Sequence, residues 1–211
     1  MDFIKEPMAI ENRSMELIAP HLAELGLDEA ATKVYSRLIH ASGDVGYAPI
    51  IRVHPEAIAV AMDALRKGAH IYTDVEMVRT GINKKKLASF GGEVHCLVAD
   101  PDVAVRAKQE GITRSMIAMR QFGQDLNGSI IAIGNAPTAL FEVLRMVREE
   151  GIRPACIVGI PVGFVGAAES KAELAANGIV PYITVEGTKG GSPIAAAAVN
   201  AMMYLIDNTR P

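Results

Sequence analysis

The chain has 211 residues, a formal net charge of −3, 50% hydrophobic residues and 21% charged residues. This composition predicts one folded domain spanning residues 1–211 with a sizeable core, and it excludes extensive disorder. The near-neutral charge and the 5% aromatic content argue against a nucleic-acid partner. The apolar runs are well short of the roughly 18–20 residues of a membrane span, which argues against membrane insertion.

The first 45 residues predict two helices, at residues 11–25 and 28–39, with His40 at the end of the second. The N-terminus lacks the apolar segment of a signal peptide. Cys96 and Cys156 lie in apolar, strand-like runs, which favours two buried thiols in a reducing compartment. We therefore expect a cytoplasmic protein with an N-terminal helical arm.

From residue 48 onward, short β-branched runs alternate with amphipathic helical patterns. The predicted strands are residues 49–53, 70–73, 93–98, 129–133, 155–159 and 181–185. The predicted helices between and after them are residues 55–67, 74–90, 101–110, 137–150, 167–177 and 192–207. This alternation predicts an α/β fold with a mainly parallel sheet that is covered on both faces.

Glycine-containing turns follow three of the predicted strands, at residues 134–138, 159–171 and 187–192. Parallel sheets bind ligands outside the carboxyl ends of their strands. Each turn leads into a helix, whose free N–H groups and positive dipole end favour an anion. One such turn alone is often structural, so the prediction of an anion site depends on having three at one edge.

Nucleotide and metal sites are not predicted. Gly159, Gly163 and Gly166 do not follow the G-x-G-x-x-G spacing, and residues 187–192 lack the Gly-Lys-Ser/Thr end of a P-loop. The five histidines form no i, i+4 pair, and Cys96 has no C-x-x-C partner.

His40 and Arg37 are the candidates for chemistry, because they lie three residues apart at a helix end that leads into a polar turn. A single histidine is often structural, but one in this setting suits proton transfer. Four arginines lie near element ends and could clamp carboxylates with their planar guanidinium groups, although a surface role is the alternative: Arg37, Arg52, Arg114 and Arg120. Thr113 could cap the helix that Arg114 enters.

The chain resembles the precorrin-8X methylmutase family of cobalamin biosynthesis. The matching segments occur in family order over almost the whole chain: residues 10–14, 37–44, 74–81, 113–115, 132–138, 161–171 and 189–192. Thr188 departs from the pattern, since many members are expected to carry arginine there.

The resemblance implies a three-layer α/β/α fold, a homodimer with its site near the interface, and an isomerase without a cofactor. The implied reaction moves a methyl group from C-11 to C-12 of precorrin-8X, or of cobalt-precorrin-8, with His40 as the acid and no protein-bound metal. The implied substrate-binding residues are Ser14, Arg37, Thr80, Arg114, Ser115, Gly163 and Lys189.

Three alternatives stay open at this point. The substrate could be metal-free or contain cobalt. The protein could also be a corrinoid carrier that binds without catalysis, or, less in keeping with the sequence, a nucleotide-dependent transferase. The apolar excess of the chain, including Met202, Met203 and Leu205, also favours a homodimer.

Overall fold

A computed structural model describes residues 3–207. The helices are α1 Pro7–Ile18, α2 Glu29–Ser42, α3 Ala57–Arg66, α4 Glu76–Gly81, α5 Lys84–Ser89, α6 Pro101–Glu110, α7 Arg114–Phe122, α8 Pro137–Glu149, α9 Ala167–Ala176 and α10 Ser192–Ile206. The strands are β1 Ile51–Val53, β2 Ile71–Thr73, β3 Val94–His95, β4 Ile130–Ile133, β5 Cys156–Gly159 and β6 Tyr182–Val185.

The six strands form one sheet in the order β1-β6-β5-β4-β2-β3. The five strands β2 to β6 are parallel, and β1 adds to β6 in the antiparallel direction, with Ile51 opposite Val185. The mainly parallel sheet is therefore confirmed. Because the chain order reverses between β2 and β4, the carboxyl ends of these two strands border a crevice of the type in which open α/β sheets bind ligands.

Helices cover both faces of the sheet, which confirms the three-layer α/β/α architecture. On one face, α2, α3, α4, α5 and α10 bury the apolar side chains of the sheet, and on the other face α7, α8 and α9 do so. The central helix α10 is rich in alanine, and its small side chains let α2, α3 and α4 pack closely around it. The helix α1 packs on the outer side of α2.

Most predicted elements are found within one to four residues of their predicted ends. The exceptions have local causes. The predicted helix at residues 74–90 is divided into α4 and α5, because the side chain of Asn83 caps α5 by accepting the N–H of Lys86 at 3.0 Å. The third predicted strand is reduced to two residues, and Cys96 lies beyond it, half-buried, whereas Cys156 is fully buried. The prediction of two buried thiols is therefore right only for Cys156.

At the N-terminus, α1 begins at Pro7 and not at residue 11, because the Glu6 side chain caps it by accepting the N–H of Met8 at 2.9 Å. Two short 3-10 turns replace its predicted last part. The cap predicted at Thr113 is confirmed, since its Oγ1 accepts the N–H of Met116 at 3.2 Å. Among the helices of residues 3–207, none combines the length and apolarity needed to cross a membrane.

Candidate active site

The crevice between β2 and β4 is occupied by the carboxylate of Asp74, which directly follows β2 and is fully buried. Its two oxygens accept the backbone N–H groups of Gly134, Asn135 and Ala136 at 3.0, 2.8 and 2.7 Å. Burial raises the pKa of Asp74, while these three hydrogen bonds oppose that change. The first of the three glycine turns therefore binds an internal acid, and these three N–H groups are not available to a ligand anion.

The other two glycine turns are joined to each other. The N–H of Gly163 donates to the carbonyl of Thr188 at 3.1 Å, and the N–H of Gly191 donates to the carbonyl of Ile160 at 2.9 Å. The buried ammonium group of Lys171 donates to the carbonyl of Lys189. These contacts hold the segments after β5 and β6 together as one surface at the carboxyl edge of the sheet.

Lys189 connects this surface to the end of α2. Its ammonium group lies 2.5 Å from Oδ2 of Asp44 and 5.4 Å from the ring centroid of Tyr47. The Lys189 ammonium and the N–H of Gly46, at 2.7 Å, hold the pKa of Asp44 below its ordinary value. Asp44 in turn raises the pKa of Lys189. Since Asp44 lies four residues after His40, Lys189 and His40 lie at the same end of α2.

His40 is in the last turn of α2, beside Arg37 on the same face of the helix. Nη1 of Arg37 is 2.6 Å from Oε1 of Glu11, and Nδ1 of His40 is 3.9 Å from Oε2 of the same carboxylate. Glu11 was not predicted as a site residue, although it lies in the motif at residues 10–14. The three charged or titratable side chains form one cluster between α1 and α2.

A cavity of about 290 Å³ lies beside this cluster, lined by Arg37, His40, Ala197, Asn200 and Tyr204 among others. Alanine side chains of α10 leave this space open next to the imidazole. Asn200 and Tyr204 were not predicted as site residues, although a polar residue such as Asn200 within the apolar run of α10 indicates a specific polar contact.

Asn200 also connects the cavity to the junction of α4 and α5. Its side chain donates to the carbonyl of Gly81 at 2.9 Å and accepts the N–H of Asn83 at 2.9 Å. Thr80 precedes this junction and is exposed, with its hydroxyl donating to the carbonyl of Glu76 at 2.8 Å. The structure thus places Thr80 on a segment that is anchored to a wall of the His40 cavity.

Ser14 lies one helical turn after Glu11 on α1, half-buried, and its hydroxyl donates to the carbonyl of Ile10 at 2.9 Å. Arg114 is exposed in the first turn of α7, where Ser115 is buried. Thr113 and Thr138 are joined through their hydroxyls at 2.9 Å, which fixes the start of α7 beside the start of α8. Both helix starts belong to the face of the sheet opposite to α2.

The arginines differ in how they are used by the fold. Arg52 pairs with Glu186 at 2.9 Å and Arg120 with Glu142 at 2.8 Å, so both serve internal ion pairs. Arg114 forms no ion pair with residues 3–207 and stands at a helix start that faces solvent. Of the four candidates, it is the arginine best suited to a ligand carboxylate.

One group of histidine and acidic side chains within residues 3–207 brings ligand atoms within 4.8 Å of one another, namely His70, Glu93 and His95. Sequence spacing missed this group because its members come from two neighbouring strand ends. The backbone N–H of Glu93 donates to Nδ1 of His70 at 3.1 Å, so the neutral ring carries its proton on Nε2. In this arrangement His70 offers no free lone pair to a metal.

Comparison with known proteins adds the decisive observation. The sequence matches the family model described as Precorrin-8X methylmutase over residues 9–205. The chain belongs to the precorrin-8X methylmutase family. Its members are methylmutases, so the protein is an isomerase of the intramolecular transferase class.

Several members of the precorrin-8X methylmutase family align over nearly their whole length. The chain is 42% identical to the precorrin-8X methylmutase of Pseudomonas aeruginosa, covering 96% of this chain and 97% of that one. It is 41% identical to the cobalt-precorrin-8 methylmutase of Priestia megaterium, covering 96% and 90%. A crystal structure of the precorrin-8x methyl mutase of Thermus thermophilus matches with a TM-score of 0.85 and 35% identity, covering 95% and 98%.

Proposed function

We propose that the protein moves a methyl group from C-11 to C-12 of a precorrin-8 corrinoid in cobalamin biosynthesis. The product is hydrogenobyrinate from metal-free precorrin-8X, or cobyrinate from cobalt-precorrin-8. The observation that carries the proposal is the cluster of Glu11, Arg37 and His40 beside an alanine-lined cavity, in a chain of this family.

The reaction is an intramolecular shift, in which the bond from the methyl group to C-11 breaks as the bond to C-12 forms. It requires a substrate held in a reactive conformation and a proton supplied to the macrocycle at or near a ring nitrogen. We assign this proton to Nε2 of His40, because Nδ1 is the nitrogen that faces Glu11. The proton returns to His40 after the shift, so the acid is regenerated.

The carboxylate arms of the corrinoid require cationic partners. We assign them to Arg114 at the start of α7 and to Lys189, with Arg37 contacting the substrate beside His40. Ser14, Thr80, Ser115 and the Gly163 turn contribute further polar contacts. Asp44 keeps the Lys189 ammonium charged and in place, although Asp44 also competes with a substrate carboxylate for it.

We propose further that the protein is a homodimer with the substrate near the interface. The cavity of about 290 Å³ at His40 lies at the lower limit of the about 300–1,000 Å³ of small-molecule sites, and a corrinoid is larger than most such ligands. Phe164 and Val165, next to Gly163, are 94% and 89% exposed. Exposed apolar side chains beside a ligand site mark an interaction surface, and a second copy of the chain would cover this surface and enlarge the site.

Two of the residues from which the dimer was predicted do not support it. Met202 and Met203 are fully buried in the core of the single chain, because α10 packs directly on the sheet, and so they contribute nothing to an interface. Light scattering should give about twice the chain mass of 22.4 kDa. Phe164→Ser should shift the mass toward one chain, and Val105→Ser, which replaces an exposed apolar side chain of α6, should not. A single-chain mass for the wild type at micromolar concentration would remove the dimer proposal.

The test of the reaction is a single-turnover absorbance assay with His40→Ala. The variant should keep the unfolding temperature and the product affinity of the wild type, and lose about 10²–10⁴ in rate. His54→Ala is the matched control, because His54 lies at the end of β1 outside the cavity. A folded His40→Ala protein that rearranges the substrate at the wild-type rate would end the proposed role of His40.

The same assay separates the remaining alternatives. Parallel reactions with metal-free precorrin-8X and with cobalt-precorrin-8 identify the substrate, which similarity leaves open because relatives of both names are about equally similar to this chain. A wild-type protein that binds both corrinoids without methyl migration would instead support the carrier function.

A further inference from the structure

The carboxylate of Glu11 faces both candidate side chains of α2, Arg37 and His40, and no role was predicted for it from the sequence. Its Oε1 is 2.6 Å from Nη1 of Arg37, and its Oε2 is 3.9 Å from Nδ1 of His40. The side chains of Glu11 and Arg37 are 24% and 27% exposed and that of His40 is 39% exposed, so the ion pair is partly withdrawn from water while the imidazole is accessible.

The environment of Oε1 is unusual for a buried polar atom. Oε1 is buried, and within residues 3–207 it accepts no hydrogen bond of normal geometry, although Arg37 pairs with it by charge. Buried polar atoms are nearly always hydrogen-bonded, and exceptions require an explanation. Here the charge of Arg37, 2.6 Å away, compensates Oε1, so the carboxylate is anchored by Oε1 and its second oxygen, Oε2, is the one that faces His40.

We propose that Glu11 is a positioning residue for His40, an inference that rests on the proposed function. Arg37 holds the carboxylate by its Oε1, and Oε2 then faces Nδ1 of the imidazole. A carboxylate on one ring nitrogen fixes the orientation of the ring and directs the other nitrogen to the reacting group. Nε2–H is thereby presented to the macrocycle, and Nδ1–H remains on the ring after Nε2 has given up its proton.

The 3.9 Å separation is longer than a hydrogen bond. Catalytic hydrogen bonds are often long in unliganded enzymes and shorten in the substrate complex. Here the substrate would enter from the side of α10, where Ala197, Asn200 and Tyr204 line the cavity. Contact from that side would press the imidazole toward Glu11.

The competing role for Glu11 is purely structural, as an ion pair that joins α1 to α2 through Arg37. Removing a structural ion pair lowers the unfolding temperature or the affinity, but it leaves the rate of the bound substrate unchanged. A positioning residue acts on the chemical step. The two roles therefore separate when the single-turnover rate at saturating substrate is measured beside product affinity.

The variants are Glu11→Gln, which removes the charge and retains the size, and Glu11→Asp, which retains the charge at a shorter reach. We expect Glu11→Gln to lower the saturated single-turnover rate by about 10- to 100-fold, with product affinity within about threefold of the wild type, and Glu11→Asp to recover part of the loss. Glu16→Gln is the control, because Glu16 is on the same helix but is exposed and pairs with Arg13. It should turn over at the wild-type rate.

A double variant shows whether the loss passes through the histidine. Glu11→Gln should cost no further rate in a His40→Ala background if its effect depends on the imidazole. An equal loss in both backgrounds, or a wild-type saturated rate for Glu11→Gln, would overturn the proposal. If Glu11→Gln does not fold, Glu11→Asp takes its place as the test. A Glu11→Asp protein with wild-type stability and a reduced rate would support the positioning role. The same stability with a wild-type rate would contradict it.

Failure of the proposed function is distinguishable from failure of this inference. A wild-type protein without methyl migration contradicts the proposed reaction itself. A wild-type rate in His40→Ala contradicts the acid role of His40. The positioning role alone is contradicted when the wild type moves the methyl group, His40→Ala does not, and Glu11→Gln does so at the wild-type rate.

Discussion

The carboxylate of Asp74, directly after β2, accepts a hydrogen bond of 3.0 Å from the backbone N–H of Gly134, directly after β4. Two further N–H groups of the same turn bind the same carboxylate. The ends of two adjacent strands are thus joined at the point where the strand order reverses. The turn that a ligand anion would otherwise occupy is closed by the chain itself.

We expect Asp74→Asn to lower the free energy of unfolding by about 1–3 kcal/mol. The amide of asparagine has one acceptor oxygen and one donor nitrogen in place of the two oxygens of Asp74. At least one buried N–H of the turn is then left without an acceptor, whether Asp74 in the wild type is charged or neutral. Denaturant unfolding measures the change. Asp63→Asn, which removes only an exposed pair with Lys67, should cost much less. Equal stabilities of the two variants would contradict this account of Asp74.

Gly190 allows the segments after β5 and β6 to approach each other. Its φ is +152°, and a Cβ atom there would lie 2.5 Å from the carbonyl oxygen of Ile160 and 2.9 Å from that of Pro161. Gly187 also has a positive φ, of +71°, but has open space around it. We expect Gly190→Ala to be less stable than Gly187→Ala by about 1–3 kcal/mol in denaturant unfolding. Equal free energies of unfolding for the two variants would show that the two turns can move apart to accommodate the added Cβ atom without loss of stability.

Lys171 should make stability depend on alkaline pH. Burial lowers its pKa from 10.5 to about 8, so between these values the unfolded chain binds more protons at Lys171 than the folded chain does. Stability therefore rises with pH across this window, and the cost of the buried charge is present in full below it. Relative to Lys171→Met, the wild type should gain on the order of 2 kcal/mol between pH 7.5 and 10.

Denaturant unfolding of both proteins at several pH values tests this expectation, because other titrating groups cancel in the difference. The lost hydrogen bond to the carbonyl of Lys189 shifts the curve of Lys171→Met without changing its shape. Lys67→Met is the control for removal of an exposed lysine. Parallel curves for the wild type and Lys171→Met would contradict the predicted pKa change.

Arg114→Ala should weaken product binding by about 1.5–3 kcal/mol, the range of hydrogen bonds to charged groups. The effect should diminish at high salt, because Arg114 is exposed. Isothermal titration with the corrinoid product measures both quantities. Arg148→Ala, near the opposite end of α8 and paired with Glu173, should bind as the wild type does. Unchanged affinity in Arg114→Ala would place the carboxylate contact on another residue.

Arg37→Ala is expected to weaken binding as well, but its result is less simple than that of Arg114→Ala. Arg37 pairs with Glu11, so its removal also releases the carboxylate that faces His40. The rate and the affinity should therefore fall together in Arg37→Ala. A loss of affinity alone would show that Arg37 acts only on the substrate.

The sequence determined the order of the elements and the class of the fold. Hydrophobic periodicity and the capping residues act within a few positions, so all six strands and the main helices could be predicted from local pattern alone. The spacing of Arg37 and His40 likewise fixed their shared face of α2 before any tertiary contact was known. The antiparallel direction of β1 could not be predicted, because nothing local to residues 51–53 specifies its partner.

Tertiary structure alone decided how the polar groups are paired. Asp74 binds a turn 60 residues away, and Asn83 binds Asn200 at a separation of 117 residues. Buried polar atoms must find partners, but the identity of the partner depends on which helices and loops the packed core brings together. His40 could thus be predicted from the sequence as a candidate for proton transfer, whereas only the packing of α1 on α2 brought Glu11 to its Nδ1 side.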